Sequence, residues 1–342
     1  MSVQPAVTHL TPAPPAPAPI LDVRGLTLRL ETRSGVITPV NGVTFAVRPR
    51  GVLAIVGESG SGKTLTAQAI MGVPPRIGKI TGGSVLYQGR DLMRLKDREL
   101  QRIRGRDIAM TFQDATASLN PLLTIGSQVE EMLTVHLHVS KRTARAHAVE
   151  ALRSVGFSDA PQVLDRYAYE LSGGMRQRAL LAMATVLHPK VLLADEPTSG
   201  LDVTLQADVL DQLRAEKEQR GTAIVLITHD LGIAAHMADD VAVMYAGYIV
   251  ERGPARVVLT RPLHPYTYGL LRAVPREDHP PGSAIPIRGH PPDLLKLKGE
   301  CPFLPRCNKA RSACRQEPMP PLEEVSPGHF LACYNPIRHD WA

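Results

Sequence analysis

Apolar positions along the chain fall into three patterns, and each predicts a different kind of element. Short continuous runs at Val52–Val56 (VLAIV), Val191–Ala194 (VLLA) and Ala223–Ile227 (AIVLI) have the length and β-branched content of strands buried on both faces. Alternating or broken runs at Leu21–Leu30 (LDVRGLTLRL), Val43–Val47 (VTFAV) and Gly83–Leu92 (GSVLYQGRDL) predict further strands, the last a strand pair, so the sheet structure begins as mixed β. From about Ile125 to Tyr169 the period changes to that of helices, as in EEMLTVHL and RTARAHAVEALRSVG, which predicts an inserted helical lobe. Strand and helix then alternate again. VLLADE is followed by a helix from Leu205 to about Gln219, then AIVLITHD, then a hairpin VAVMY–AG–YIVE turning at Ala246-Gly247. The expected fold class is α/β, with a parallel core whose ligand loops lie at the strand carboxyl ends.

Size and charge refine this picture only slightly. The chain has 342 residues, 44% of them hydrophobic and 21% charged, enough for one full α/β core and one or two smaller units. No stretch approaches about 20 consecutive apolar residues, so any membrane role is expected to be borrowed from a partner. The opening MSVQPAVTHLTPAPPAPAPI lacks a basic n-region and a continuous apolar run, and reads as a disordered Pro/Ala-rich lead-in over 1–19 rather than a secretory signal. A net charge of +6 suits an anionic ligand but is too diffuse to point to nucleic acid.

Chemistry concentrates after the predicted strand Val52–Val56. Gly57-Glu58-Ser59-Gly60-Ser61-Gly62-Lys63-Thr64 fits the phosphate-cradling pattern GxxxxGK[ST] and is followed by the helical run TLTAQAIMG. Glycines let backbone N–H groups close on phosphates, Lys63 can reach the β- and γ-phosphates, and Thr64 offers a hydroxyl to Mg²⁺. A nucleoside triphosphate is the implied ligand. The run Val191–Ala194 ends in Asp195, placed to hold the metal, and Glu196, placed to polarise an attacking water. Upstream, LSGGM puts Ser172, Gly173 and Gly174 at the start of the helical run RQRALLAMATVL, a second anion site at a helix N-terminus or an ordinary helix cap.

Together these residues resemble the nucleotide-binding subunit of ABC transporters from Leu21 to about Gly253. The resemblance rests on the P-loop, Gln113 in TFQD, the signature LSGGM, the Val191–Glu196 strand end, SGLD at Ser199–Asp202, and His229 in ITHD. It implies an ABC-type nucleotide-binding domain, that is, a P-loop NTPase core with a mixed β-subdomain and a helical subdomain at about 115–178. It also implies roles. Gln113 would sense Mg²⁺ and couple to a membrane subunit, His229 would contact the γ-phosphate, and the Ser172–Gly174 segment would close on a nucleotide held by a second ATP-binding subunit. Asp202 would link the two sites, and Glu196, His229 and Gln113 would form the catalytic set. Two positions depart from the pattern. Met175 stands where a glutamine is usual, and no aromatic residue precedes Phe45, which leaves Leu30 or Ile37 to hold the base by apolar contact.

The C-terminal part, 256–342, narrows the resemblance. RPLHPYTYGLLRAVP (Arg261–Pro275), a Pro-rich stretch and CPFLPRC resemble the extension of ATP-binding subunits in the oligopeptide, dipeptide and nickel importers, as FQDATASLNP (Phe112–Pro121) resembles their Q-loop segment. His264 and Tyr266 read as a packing motif anchoring that extension. All four cysteines, Cys301, Cys307, Cys314 and Cys333, lie in it. In a reducing compartment they favour a shared metal over disulfides, as a staple for a loop-rich segment poor in core residues. Their spacing departs from the C-x₂₋₄-C of zinc sites and names no replacement. The resemblance implies a [4Fe–4S] cluster, with zinc as the alternative, and Arg306, Arg311 and Arg315 offsetting its charge.

The expected function is ATP hydrolysis, powering a peptide-type importer at the cytoplasmic face of the cell membrane. The implied partners are two transmembrane permease subunits, a second ATPase subunit and an extracytoplasmic solute-binding protein, with no nucleic acid. A nickel or other small-solute importer is the alternative within the family. A soluble non-transport ATPase, or an iron–sulfur redox protein with a regulatory ATP site, lies outside it.

Overall fold

The computed structural model describes residues 18–275, 284–297 and 299–339; most of the Pro/Ala-rich lead-in lies outside them. At the centre of an eight-stranded sheet is Val52–Val56, paired in parallel with Ala223–Thr228 on one side and Asp240–Tyr245 on the other. Val191–Asp195 and Ile108–Thr111 continue the parallel part. Every residue of Val52–Val56, Val191–Asp195 and Ala223–Thr228 is buried, which is why these runs lack polar alternation. The expected hairpin forms between Asp240–Tyr245 and Tyr248–Pro254, with Ala246 and Gly247 both at positive φ (46° and 91°), the geometry a two-residue turn requires.

A separate antiparallel sheet is built from Leu21–Thr32, Gly35–Val47, Gly78–Tyr87 and Arg90–Asp91. Between Ile108–Thr111 and Val191–Asp195 comes the helical lobe, with helices at Ile125–Leu137, Lys141–Ser154, Ala160–Leu164 and Gly173–Thr185. Thr124 and Ser140 cap the first two by accepting from the Ser127 and Thr143 amides. Ala144, Ala148 and Leu152, spaced one turn apart, form the face that packs with Val129 and Leu133 into the core.

The segment beyond residue 255 differs from expectation. Its hairpin, Glu323–Ser326 with His329–Leu331, adds two strands to the edge of the main sheet, pairing Leu331 with Glu251 and Phe330 with Arg252. Nor is it poor in core. Tyr266 and Phe303 pack on Tyr245 with ring centroids 4.4 and 5.3 Å away, and Leu331 and Ala332 are buried. The Arg252 guanidinium lies 4.1 Å over the Phe330 ring, a cation–π contact that covers the join.

Candidate functional site: a phosphate-loop cavity and a cysteine loop

Parallel strands deliver the site because their carboxyl ends lie side by side. Gly57–Thr64 leaves Val56, Gln113 lies two residues past Thr111, Glu196 follows Asp195 and His229 follows Thr228. Gly57, Glu58, Ser59, Gly60, Gly62, Lys63, Thr64, Gln113, Glu196 and His229 line one cavity of about 580 Å³, within the size range of small-ligand sites. Two glycines are obligatory. A Cβ on Gly57 (φ 155°) would stand 2.1 Å from the Met244 carbonyl oxygen, and one on Gly62 (φ 105°) 2.0 Å from that of Pro39.

Lys63 opens the helix Lys63–Ile70, and its Nζ donates to the Gly57 and Glu58 carbonyls at 2.8 and 3.0 Å. Burial lowers its pKa, opposed by the nearby carboxylates of Glu196, Asp195 and Glu58. The Thr64 hydroxyl donates to Asp195 Oδ1 at 3.1 Å. Asp195 is fully buried, its pKa is pushed up to about 6 by that burial, and its Oδ2 has no hydrogen-bond partner among the described residues. An orphaned buried carboxylate oxygen beside a threonine hydroxyl fits a hard divalent cation such as Mg²⁺. Both carboxylate oxygens of Glu196 lie 2.9 Å from His229 Nδ1, with Glu196 buried and His229 exposed. Glu196 itself has φ 47° and is pinned by its amide to the Ile227 carbonyl at 2.9 Å. A residue held in this left-handed conformation costs strain that surrounding structure must offset.

The signature residues lie elsewhere. Ser172 caps the helix Gly173–Thr185 by accepting from the Met175 amide, and Asp202 caps Val203–Arg220 by accepting from Leu205. Gly173, with Ser199, Gly200 and Gln113, lines a second, open cavity of about 480 Å³. The structure thus brings the phosphate loop, Asp195, Glu196 and His229 together and leaves Ser172, Gly173, Gly174 and Asp202 apart. Among the described residues, Gln113 alone borders both cavities. Leu30 is buried against the core and neither it nor Ile37 borders the phosphate-loop cavity among its lining residues.

All four cysteines line one small cavity beside His264 and Phe303. Burial first, then repulsion from the other thiolates, raises Cys301 to about 11 and Cys333 to about 12. The four thiols line one cavity and repel one another when ionised. Their cavity is only about 20 Å³, room for little more than a water. Among the described residues no three His, Cys, Asp or Glu side chains are grouped to hold a single metal ion. One expectation is corrected. Arg306 does not face a cluster but forms a bidentate pair with Glu58 of the phosphate loop, at 2.6 and 3.0 Å, because burial with only 4% exposure demands a full set of acceptors.

Sequence reasoning also missed Glu251, Gln128 and the contact of Tyr266 with the phosphate loop. Glu251 is fully buried and accepts from the Leu263 and His264 amides at 2.7 and 2.9 Å and from His329 Nε2 at 2.9 Å. The Tyr266 hydroxyl accepts from the Glu58 amide at 2.8 Å, so the anchoring motif reaches the phosphate loop. Gln128 holds the segment after Gln113 through the Asn120 amide and carbonyl. In each case the residue type alone carried no signal; the partner is distant in sequence or local to a loop of irregular shape.

Comparison with known proteins agrees with this geometry. Residues 40–199 match the ABC transporter family model, and 250–314 match the oligopeptide/dipeptide transporter C-terminal region. The oligopeptide transport ATP-binding protein OppD of Salmonella typhimurium is 45% identical over 96% of this chain and 97% of its own length. The dipeptide transport ATP-binding protein DppD of Bacillus subtilis is 45% identical over 86% and 88%. Among solved structures, the dimeric ATP-binding cassette MJ0796 bound to ADP and Pi superposes with a TM-score of 0.63, at 26% identity over 69% of this chain and 99% of that one. With near full-length similarity of this degree, and a phosphate loop and a Glu–His pair lining one cavity with a buried aspartate bonded to the loop's threonine, the chain belongs to the ABC transporter family of ATPases, in the group that carries the oligopeptide/dipeptide transporter C-terminal region.

Proposed function

We propose that this chain is the ATP-hydrolysing subunit of a peptide-type importer, working at the cytoplasmic face of the membrane through permease partners. The observation that carries the chemistry is the convergence of Lys63, the Thr64–Asp195 pair and the Glu196–His229 pair on the phosphate-loop cavity. The solute class follows from the relatives: OppD and DppD are named for oligopeptide and dipeptide transport, and they share the C-terminal region. No helix among the described residues is long and apolar enough to cross a membrane, so translocation itself falls to other chains.

In this reading the amides of Gly57–Thr64 and the Lys63 ammonium receive the triphosphate, Lys63 exchanging its two loop carbonyls for phosphate oxygens. Thr64, Asp195 and Gln113 would hold Mg²⁺, which when bound neutralises phosphate charge. Glu196 accepts the proton of a water whose oxygen bonds to the γ-phosphorus as the β–γ bridge breaks, and His229 holds the Glu196 carboxylate until the γ-phosphate arrives. Ser172, Gly173 and Gly174 of this chain serve the nucleotide of a second ATP-binding subunit, and Asp202 links the two sites. Support comes from their absence among the residues lining this chain's own phosphate-loop cavity. Gln113, bordering both cavities, is placed to report nucleotide occupancy to the helical lobe and its permease.

The assembly would comprise two permeases, a heterodimeric pair of ATPase subunits and an extracytoplasmic binding protein. Residues 20–255 form its nucleotide-binding domain and 256–342 an extension stapled by a [4Fe–4S] cluster on Cys301, Cys307, Cys314 and Cys333. The convergence of the four thiols on one cavity supports the ligand set. The test is ATP turnover by the reconstituted complex in vesicles. Peptide with binding protein should stimulate it, and Glu196→Gln should retain ATP binding while lowering turnover by about a hundredfold or more. Near-normal turnover by the variant would overturn the role of Glu196; stimulation by nickel and not by peptide would overturn the solute class.

A further inference from the structure

Glu58 is the one acidic residue within Gly57–Thr64. It borders the cavity that is to receive phosphate oxygens, where an unneutralised carboxylate repels them. Arg306 supplies the neutralising charge, and its geometry leaves no freedom. Nη1 donates to Glu58 Oε2 at 2.6 Å and to the Tyr245 hydroxyl at 3.3 Å, Nη2 to Glu58 Oε1 at 3.0 Å and to the Ile287 carbonyl at 3.3 Å, and Nε to the Arg288 carbonyl at 3.0 Å. Every guanidinium N–H is therefore engaged. The backbone of Glu58 is held as well, by its amide to the Tyr266 hydroxyl and its carbonyl to Lys63 Nζ.

Arg306 sits on the turn that joins two of the cysteines. The Leu304 amide donates to the Cys301 carbonyl at 3.0 Å, Arg306 to Phe303 at 2.9 Å and Cys307 to Leu304 at 3.3 Å. A shift of Cys301 or Cys307 therefore moves the guanidinium that faces the phosphate loop. We propose that Arg306 is a positioning residue for the phosphate loop, neutralising and orienting Glu58, so that affinity for nucleotide phosphates follows the state of the cysteine loop.

The inference rests on the reading that Gly57–Thr64 binds ATP, and one set of measurements separates the two. Equilibrium binding of a fluorescent ATP analogue with Mg²⁺ is compared for the wild-type chain, Arg306→Gln, Arg306→Lys and the double variant Arg306→Gln/Glu58→Gln. Arg306→Gln should weaken binding about tenfold by exposing the Glu58 charge, more at low than at high salt. Lysine should restore part of the loss, and Glu58→Gln in the same chain most of it. In the assembled complex Arg306→Gln should raise KM for ATP and leave kcat nearly unchanged. Alkylating the cysteines with N-ethylmaleimide should weaken binding to the wild-type chain and leave the Glu58→Gln chain at its value before treatment. A double variant as weak as Arg306→Gln alone, or equal weakening of both chains on alkylation, would overturn the proposal. A wild-type chain that binds no ATP would overturn the reading beneath it.

Discussion

Replacing Glu251 by alanine probes how the C-terminal segment is fastened. Its carboxylate is fully buried and is the common acceptor for the Leu263 amide, the His264 amide and His329 Nε2. Alanine leaves all three donors without that acceptor. A buried donor left unsatisfied costs about 1–3 kcal/mol, which sums to roughly 3–9 kcal/mol before relaxation. Water entering the vacated volume recovers part of this, so about 4 kcal/mol is expected. The loss is local, because the three donors belong to the start of the helix Pro265–Ala273 and to the strand His329–Leu331, both outside the parallel sheet. Amide hydrogen exchange read by mass spectrometry should therefore show protection of 263–273 and 329–331 falling by two to three orders of magnitude, as about 4 kcal/mol requires. Protection of Val52–Val56 and Ala223–Thr228 should change far less. Unchanged exchange at 263–273 in the alanine variant, or a loss spread evenly over the whole chain, would refute the assignment of Glu251 as a local fastening.

Acid should release the same segment by another route. Burial lowers the His264 pKa to about 4, so between about 6.5 and 4 the unfolded segment takes up a proton that the folded one does not, and stability falls as pH falls, by up to about 3 kcal/mol. Tyrosine fluorescence against pH should show this loss, and His264→Asn, which retains an acceptor for the Tyr266 amide, should flatten it; an identical pH profile in the variant would count against burial of neutral His264 as the cause. For the cysteines, anaerobically purified protein should be brown with about four irons per chain, and chelation should strip the colour and loosen exchange protection around Cys301–Cys314. Colourless protein holding one zinc per chain would overturn the iron assignment while sparing the four ligands.

What the sequence revealed and what it hid divide along a physical line. Val52–Val56, Val191–Asp195 and Ala223–Thr228 were legible because a strand buried on both faces must be apolar throughout. The Ala246-Gly247 turn was legible because few residue pairs sustain two consecutive positive φ values. The phosphate loop was legible because its chemistry fixes residue types at adjacent positions. Glu251 was not, since an acidic residue ending the run YIVE looks like a solvated strand edge until the hairpin His329–Leu331 covers it. The pairing of Arg306 with Glu58 spans 248 residues, and that of Tyr266 with the Glu58 amide 208. No periodicity encodes such complementarity. Reading the tail as poor in core failed for a related reason: Tyr245, Tyr266 and Phe303 are unremarkable apart and make a core only when the sheet edge brings them together.

Sheet order explains why the tail can speak to the nucleotide site at all. Only the strand Asp240–Tyr245 separates the phosphate-loop strand from Tyr248–Pro254, which carries Glu251 and receives the tail hairpin. That intervening strand presents the Met244 carbonyl against Gly57 and, at its end, the Tyr245 hydroxyl to Arg306. Fastening at Glu251 and the grip of Arg306 on Glu58 thus act on opposite flanks of one strand, through the same aromatic cluster. A tail released at Glu251 would no longer hold Arg306 in place, so the charge of Glu58 would be exposed whether the guanidinium is deleted or merely let go. The two perturbations converge on one electrostatic event, and their effects on phosphate binding therefore do not add.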